Sequence, residues 1–222
     1  MDDDLQPRIA ILGAGPIGLE AALYARYLGY PVEILERGHV PAANIFLRGS
    51  GQLGVFAEFA STLGVAALRA QNPEWRPLAA SAILNAVEWL DDYLAPLAKS
   101  DLIAEVLKLN TQVIALTRRD EVEDASFQIR CRDSQGISTI HEADIVIDVT
   151  GSESNRQWFS EGDADTGLGF LNPVADYYIV GSKCHPNATF TFAQGLEQIR
   201  DLFAILGERD DLDIYATMPA LP

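Results

Sequence analysis

Cysteine and positive charge are both scarce in this chain. Its two cysteines, Cys131 and Cys184, stand 53 residues apart and form neither a C-x-x-C pair nor a zinc-ligand spacing. That leaves no dithiol to relay electrons, and a reducing cytoplasm is the default compartment. His39 and His141 lack metal-ligand spacing and an acidic pattern nearby, so no metal site is expected. Sixteen basic residues against 32 acidic ones give a net charge of −16 and a pI near 4.4. Such a surface repels nucleic acid and anionic membranes, and neither is an expected partner. No uninterrupted apolar stretch approaches the ~18 residues of a membrane span. The opening Met1-Asp2-Asp3-Asp4 is the opposite of a signal peptide's basic, then apolar, start. Repeats and low-complexity segments are also missing. What remains is 222 residues with 48% hydrophobic content, enough for one large domain or two small ones.

The informative segment is the first turn. Residues 8–12 form a short apolar run, Gly13-Ala14-Gly15-Pro16-Ile17-Gly18 follows, and 32–36 (VEILE) closes a β-α-β unit. A strand feeding G-x-G-x-x-G and then a helix aims backbone N–H groups and the positive end of the helix dipole at a pyrophosphate. The first glycine permits the tight turn, the second admits the phosphate to the backbone, and the third lets helix and strand pack closely. Pro16 suits a first helical turn. Ile17, Ala21, Tyr24 and Leu28 recur at spacings of 4, 3 and 4 on one face, and Gly29 sits at the expected helix end. Glu36, 18 residues beyond Gly18, is placed to accept hydrogen bonds from an adenosine ribose and to repel a 2′-phosphate. FAD or NAD, rather than NADP, is the expected ligand.

Downstream, residues 40–54 read as a loop with Pro and Gly punctuation. Residues 55–70 look helical, weakened by Gly64. Ile83, Val87, Leu90 and Leu94 mark another helix, disturbed by Pro96. Phe127, Ile129 and Cys131 alternate with Gln128, Arg130 and Arg132, so Cys131 belongs to the core. Flanking runs at 111–117 and 137–141 complete a three-stranded antiparallel meander. Residues 145–149 (IVIDV) form the continuous apolar run of a strand buried on both faces, ending at Thr150-Gly151. Residues 152–175 read as polar loop, 177–180 as a last strand ending at Gly181, and Leu196, Ile199, Phe203 and Leu206 as a helix face stopped by Gly207. The tail 208–222 is acidic, contains proline, and is expected to fray.

In this order, these pieces resemble the FAD domain of the two-dinucleotide-domain flavoproteins, which comprise pyridine nucleotide–disulfide oxidoreductases and flavin-containing monooxygenase-like enzymes. Gly13-x-Gly15-x-x-Gly18-x-x-x-Ala22 with Glu36-Arg37 is similar to their FAD fingerprint. The stretch 146–151 (VIDVTG) is similar to their second motif, and 178–183 (YIVGSK) to the late strand that meets the ribityl and phosphate groups. The helix from Phe192 resembles the one whose N-terminus faces the flavin pyrimidine. The resemblance implies an α/β Rossmann-like FAD/NAD(P)-binding three-layer fold with a parallel sheet, an antiparallel β-meander and a C-terminal helix. It also implies cofactor contacts at Gly13, Ala14, Gly15, Pro16, Ile17, Gly18, Glu36, Arg37, Thr150, Gly151, Gly181 and Ser182, with Val113 meeting the adenine through its backbone.

The family inserts an NAD(P)H domain between the second motif and the late strand. Here only 25 residues separate Gly151 from Tyr177, fewer than the ~30 of one β-α-β unit. The expectation is therefore a single FAD-binding domain over 1–207, with 152–175 replacing the inserted domain between segments 1–151 and 176–207, and 208–222 as an acidic tail. Segment 44–64 lacks the aromatic-and-basic pattern of the monooxygenase-like flavin loop, and Ser182 replaces the acid of the disulfide-reductase branch. Cys184 beside His185 reads as a loop exit shaped by Pro186 rather than as an activated thiol. Lys183 reads either as a counter-charge to the cofactor or as a solvated strand-end lysine. Tyr177, Tyr178, Phe190 and Phe192 either wall the flavin or pack the strand–helix junction. Trp158-Phe159 is an apolar pair without an assigned place, and no catalytic side chain is identified. The leading expectation is an FAD-dependent oxidoreductase of reduced size, its electrons supplied by a partner reductase, a diffusing donor or the substrate. Alternatives are a non-catalytic nucleotide-binding or assembly module and a small NAD-dependent dehydrogenase. Apolar surface bared by the missing domain points to a homodimer or a partner protein.

Overall fold

The computed structural model describes residues 6–46, 51–119, 126–151, 158–159, 167–184 and 189–221. Strand β1 (Ile9–Leu12) leads through the Gly-rich turn into helix α1 (Pro16–Tyr27) and back to strand β2 (Val32–Leu35). Gly29, at φ 89°, supplies the left-handed exit from α1. Helix α2 (Ala43–Phe46) and strand β3 (Gln52–Val55) follow, the latter paired antiparallel with β4 (Ile83–Asn85). Between them lie a 3₁₀ turn (Phe56–Glu58) and helix α3 (Thr62–Gln71). One continuous helical rod then comprises α4 (Ala86–Trp89), a π-helical turn (Leu90–Leu94) and α5 (Ala95–Ala98), followed by α6 (Asp101–Ala104).

Strands β5 (Leu107–Lys108), β6 (Gln112–Arg118), β7 (Phe127–Arg132), β8 (Ser138–Ala143) and β9 (Ile145–Asp148) come next, then β10 (Leu171–Val174) and β11 (Tyr177–Ile179). Helices α7 (Phe192–Leu206) and α8 (Ile214–Thr217) end the described chain. The main sheet runs β10-β11-β9-β1-β2-β5, parallel except for β10, and β6-β7-β8 form the antiparallel meander.

Strand periodicity of two divides the interior into two cores. Ile9 and Ile11 of β1, with Ile145 and Ile147 of β9, pack beneath α1 and α7. Ala10, Leu12 and Val146 face the meander with Phe127, Ile129 and Cys131. The result is the expected three-layer Rossmann-like arrangement of helices, parallel sheet and meander.

Several local expectations are corrected. Residues 40–54 hold α2 and β3 rather than loop alone, and 55–70 is helical only from Thr62. Ile83 lies in β4 and is exposed; the buried face of the rod is Ala86, Trp89, Leu90, Tyr93, Leu94 and Leu97. Its start is set by Asn85, whose side chain accepts from Val87 and Glu88 while Glu88 returns a bond to Asn85. Pro96 is absorbed by the π turn: it has no N–H for the Asp92 carbonyl, which accepts from Trp75 Nε1 at 3.3 Å instead. β10 occupies part of the segment read as loop, and Phe159 packs on Phe127 and Tyr177 in the meander-side core. The acidic tail is docked: Leu212 and Ile214 are buried, Ile214 N–H donates to the Tyr24 hydroxyl, and Thr62 donates to the Tyr215 carbonyl.

Candidate nucleotide-binding site

The turn after β1 has the geometry that its glycines require. Gly13 adopts φ 107°, where an L side chain is strained. A Cβ on Gly18 would overlap the Gly13 carbonyl oxygen, so the third glycine is what lets α1 start against the turn. A Cβ on Gly15 would meet nothing within 4 Å. Gly15 is also the N-cap of α1 and offers no side-chain acceptor, so the first-turn amides stay available to an anion. This is an open cradle of the kind a pyrophosphate fills.

Glu36, just after β2, is tied to that cradle. Its Oε2 accepts from Ala14 N–H at 2.7 Å and its Oε1 from Gly38 N–H at 2.6 Å. A carboxylate has about four lone-pair directions, so two remain for ribose hydroxyls. Glu36 thus stitches the phosphate turn to the end of β2 as well as facing the cavity, a double role that spacing alone did not show.

Gly15, Pro16, Ile17 and Glu36 line a cavity of about 950 Å³, and so do Thr150, Gly151, Gly181 and Ser182 from the ends of β9 and β11. Gly151 (φ 77°) and Gly181 (φ 93°) are both in the left-handed region at these strand ends. The segment leading into α7 and the helix's first two residues (189–193) line the same cavity, and a Cβ on Gly195 would overlap Ile17, so a glycine sets the close approach of α7 to α1. Unlike α1, α7 is capped: Thr191 accepts from Gln194 N–H at 3.2 Å, and Gln194 returns a bond to Thr191 N–H at 2.8 Å. An aromatic chain completes the wall, with Phe59 edge-on to Trp89 at 5.1 Å and Trp89 edge-on to Phe192 at 5.6 Å.

Beneath the strand ends, Asp148 is wholly buried and accepts four hydrogen bonds. They come from Thr150 N–H (3.0 Å), the Thr150 hydroxyl (2.6 Å), the Tyr177 hydroxyl (2.8 Å) and Lys183 Nζ (2.7 Å). Lys183 is the ion-pair partner that pins the late strand to the second motif, and at 11% exposure its side chain is not a solvated one. Gln198 of α7 accepts from Gly181 N–H at 2.7 Å and donates to the Gly169 carbonyl, fixing the opposite side of the same turn.

Not every expected site residue lines the cavity. Val113 pairs with Cys131 in the meander and Arg37 is exposed; neither is among the residues lining the cavity. Gly13, Ala14 and Gly18 build the cradle from behind. Phe190 and Phe192 line the cavity, whereas Tyr177 binds Asp148 and Tyr178 packs on Phe170. Cys184 Sγ donates to the Ile179 carbonyl, and burial pushes its thiol up to about 11, the direction opposite to that of an activated nucleophile. Burial likewise pushes Cys131 up to about 12. His185 lies outside the described residues, and among those described no cluster of three metal-ligating side chains occurs.

Sequence reasoning missed Glu20, Ser61 and Tyr93. Glu20 is wholly buried in α1, held by the Tyr93 hydroxyl at 2.6 Å and the Ser61 hydroxyl at 2.8 Å, and burial pushes its carboxyl up to about 7. The one available signal was an acid flanked on both sides by apolar helix residues, Leu19 and Ala21.

No family model and no curated protein matches the sequence. Among solved structures, THI4 of Thermovibrio ammonificans is similar at 17% identity and TM-score 0.57, covering 91% of each chain. S-allyl-L-cysteine S-oxygenase from Allium sativum matches at 14% identity and TM-score 0.47, over 66% of this chain and 36% of its own. OTEMO in complex with FAD and NADP matches at 19% identity and TM-score 0.48, over 72% of this chain and 28% of its own. The chain thus spans about a third of the garlic oxygenase's length, and the likeness to THI4 is one of fold. No helix among the described residues is long and apolar enough to cross a membrane.

Proposed function

We propose that the chain is an FAD-binding flavoprotein, an oxidoreductase of reduced size in which residues 1–207 form one FAD-binding domain and 152–175 replaces an NAD(P)H domain. The observation that carries this reading is the uncapped start of α1 at Gly15, opening onto a cavity that also holds the Glu36 carboxylate and an aromatic wall. Gly15, Pro16 and Ile17 would hold the diphosphate, Glu36 the ribose, and the turns at Gly151 and Gly181 with Ser182 the ribityl side. Glu36 disfavours a 2′-phosphate, so NADP is a poor fit. Bound flavin would supply the electron-transfer chemistry, while the chain supplies orientation and exclusion of water. Electrons would then enter from a partner reductase, a diffusing donor or the substrate.

The half-buried Cys184, whose thiol burial pushes up to about 11, favours a second reading, a nucleotide-binding module without its own chemistry. NADPH consumption by the isolated chain would count against that reading.

The test is to release any bound small molecule from purified protein and identify it by mass spectrometry. FAD with oxidised-flavin absorbance is expected, and Glu36→Arg should lose it. NAD in place of FAD would reverse the choice of cofactor. Protein that holds no nucleotide and takes up none when refolded with FAD would end the proposal.

A further inference from the structure

Behind the cavity wall, three side chains from three elements close a ring. The Tyr93 hydroxyl lies 2.6 Å from Glu20 Oε1, the Ser61 hydroxyl 2.8 Å from Glu20 Oε2, and the two hydroxyls 3.3 Å apart with either able to donate. Ser61 N–H donates to Tyr93 at 3.1 Å and Gly64 N–H to Ser61 Oγ at 2.7 Å. A Cβ on Gly64 would overlap the Tyr93 hydroxyl, so this glycine makes the approach possible.

Three oxygen–oxygen contacts need three protons. With the acid neutral, Glu20, Ser61 and Tyr93 contribute one each. The bonds then run in one direction, Glu20 to Ser61, Ser61 to Tyr93, Tyr93 back to Glu20. When the acid ionises, both remaining protons must point at the carboxylate. The Ser61–Tyr93 contact is left lone pair to lone pair, around a wholly buried charge. The groups facing the acid are Tyr93, Ser61 and Tyr215 of α8, with Tyr24 and Asp213 next to Tyr215. None of these is a cation.

Each corner of the ring leads to the cavity. Glu20 follows Pro16 and Ile17 by one turn, Ser61 follows Phe59 by two residues, and Tyr93 follows Trp89 by one turn. We propose that neutral Glu20 is a positioning residue for the nucleotide site, closing the ring that holds α1, the start of α3 and the Trp89 helix in register, so that ligand binding requires Glu20 to keep its proton. This inference rests on the reading of the cavity as the FAD site.

The pH dependence has a definite sign. Burial raises the folded carboxyl from about 4.5 to about 7, so the ring's contribution is full below the lower value and is lost as pH rises through the upper one. FAD affinity of the wild type should therefore fall above about pH 7, approaching tenfold per pH unit. Glu20→Gln carries a fixed donor and a fixed acceptor, so it should keep the low-pH affinity with a flat profile. A Glu20→Gln profile that tracks the wild type overturns the proposal.

A second measurement uses the apo protein, comparing amide exchange at residues 57–61 and 89–93 between wild type and Glu20→Gln. Equal rates near pH 6 and several-fold faster exchange in the wild type near pH 8 are expected, and equality at both overturns the proposal. Should FAD fail to bind at every pH while exchange differs as expected, the FAD reading falls and the role of Glu20 stands. If Glu20→Gln does not fold, the infrared band of the protonated carboxyl in the wild type decides. Its loss should coincide with the fall in FAD affinity, and affinity that falls while the band persists overturns the proposal.

Discussion

Lys183 Nζ stands 2.7 Å from Asp148 Oδ2, with the aspartate wholly buried and the lysine side chain 11% exposed. The pair joins the end of β11 to the end of β9, the two strand ends that carry Gly181 and Gly151 into the cavity. Removing one partner of a buried pair leaves a charge without compensation. Lys183→Met should destabilise the protein by about 3 kcal/mol, the low end of the range for such pairs. The Tyr177 and Thr150 hydroxyls still solvate the carboxylate and hold the loss at that end. Urea unfolding checks this, and a loss well under 1 kcal/mol would place Lys183 back among solvated strand-end lysines.

Gly15 and Gly18 should separate binding from folding. Gly18→Ala forces a methyl group into the Gly13 carbonyl and should cost at least about 2 kcal/mol of stability. Gly15 has ordinary extended backbone (φ −71°, ψ −180°) and open space, so Gly15→Ala should fold and lose no more than about 1 kcal/mol, the usual difference at an N-cap. The same methyl stands where a diphosphate would approach the α1 amides, and FAD affinity should drop at least tenfold. Thermal melts alongside flavin titration give both quantities for both variants. Unchanged FAD affinity in Gly15→Ala would remove the cradle from the site.

The contrast also shows what was legible in the sequence. Gly13, Gly15, Gly18 and Glu36 act within one β-α-β unit, so local spacing carries their geometry. The meander was equally plain, because Phe127, Ile129 and Cys131 alternate with polar neighbours. β10 was hidden by Pro173 inside a four-residue edge strand, and the rod at 86–98 was misphased because Ile83 shares its apolar character while sitting in β4. The Asn85–Glu88 capping pair was the signal that would have set the boundary. For Glu20 the local signal goes no further than an acid between apolar helix residues: its partners are 41 and 73 residues away, and only tertiary packing brings them together.

Two tyrosines next to Glu20 should respond oppositely to loss of their hydroxyls. The Tyr215 hydroxyl is buried with no hydrogen-bond partner among the described residues, while its ring lies 5.0 Å from that of Tyr24. Its oxygen gave up water on folding without recovering a bond, so Tyr215→Phe removes a desolvation cost and keeps the packing. That variant should be neutral or more stable by about 1 kcal/mol. Tyr93→Phe instead strips Glu20 of one donor and both the Ser61 N–H and, in the neutral ring, the Ser61 hydroxyl of their acceptor, leaving three buried groups short of a partner. A loss of about 2 kcal/mol or more is expected, since each unsatisfied buried group costs about 1–3 kcal/mol. Chemical denaturation near pH 6, where Glu20 is mostly neutral, compares the two on equal terms. Destabilisation of similar size in both variants would show that the Tyr215 hydroxyl is satisfied in solution, and the docked C-terminal segment would then contribute a polar anchor as well as an apolar one.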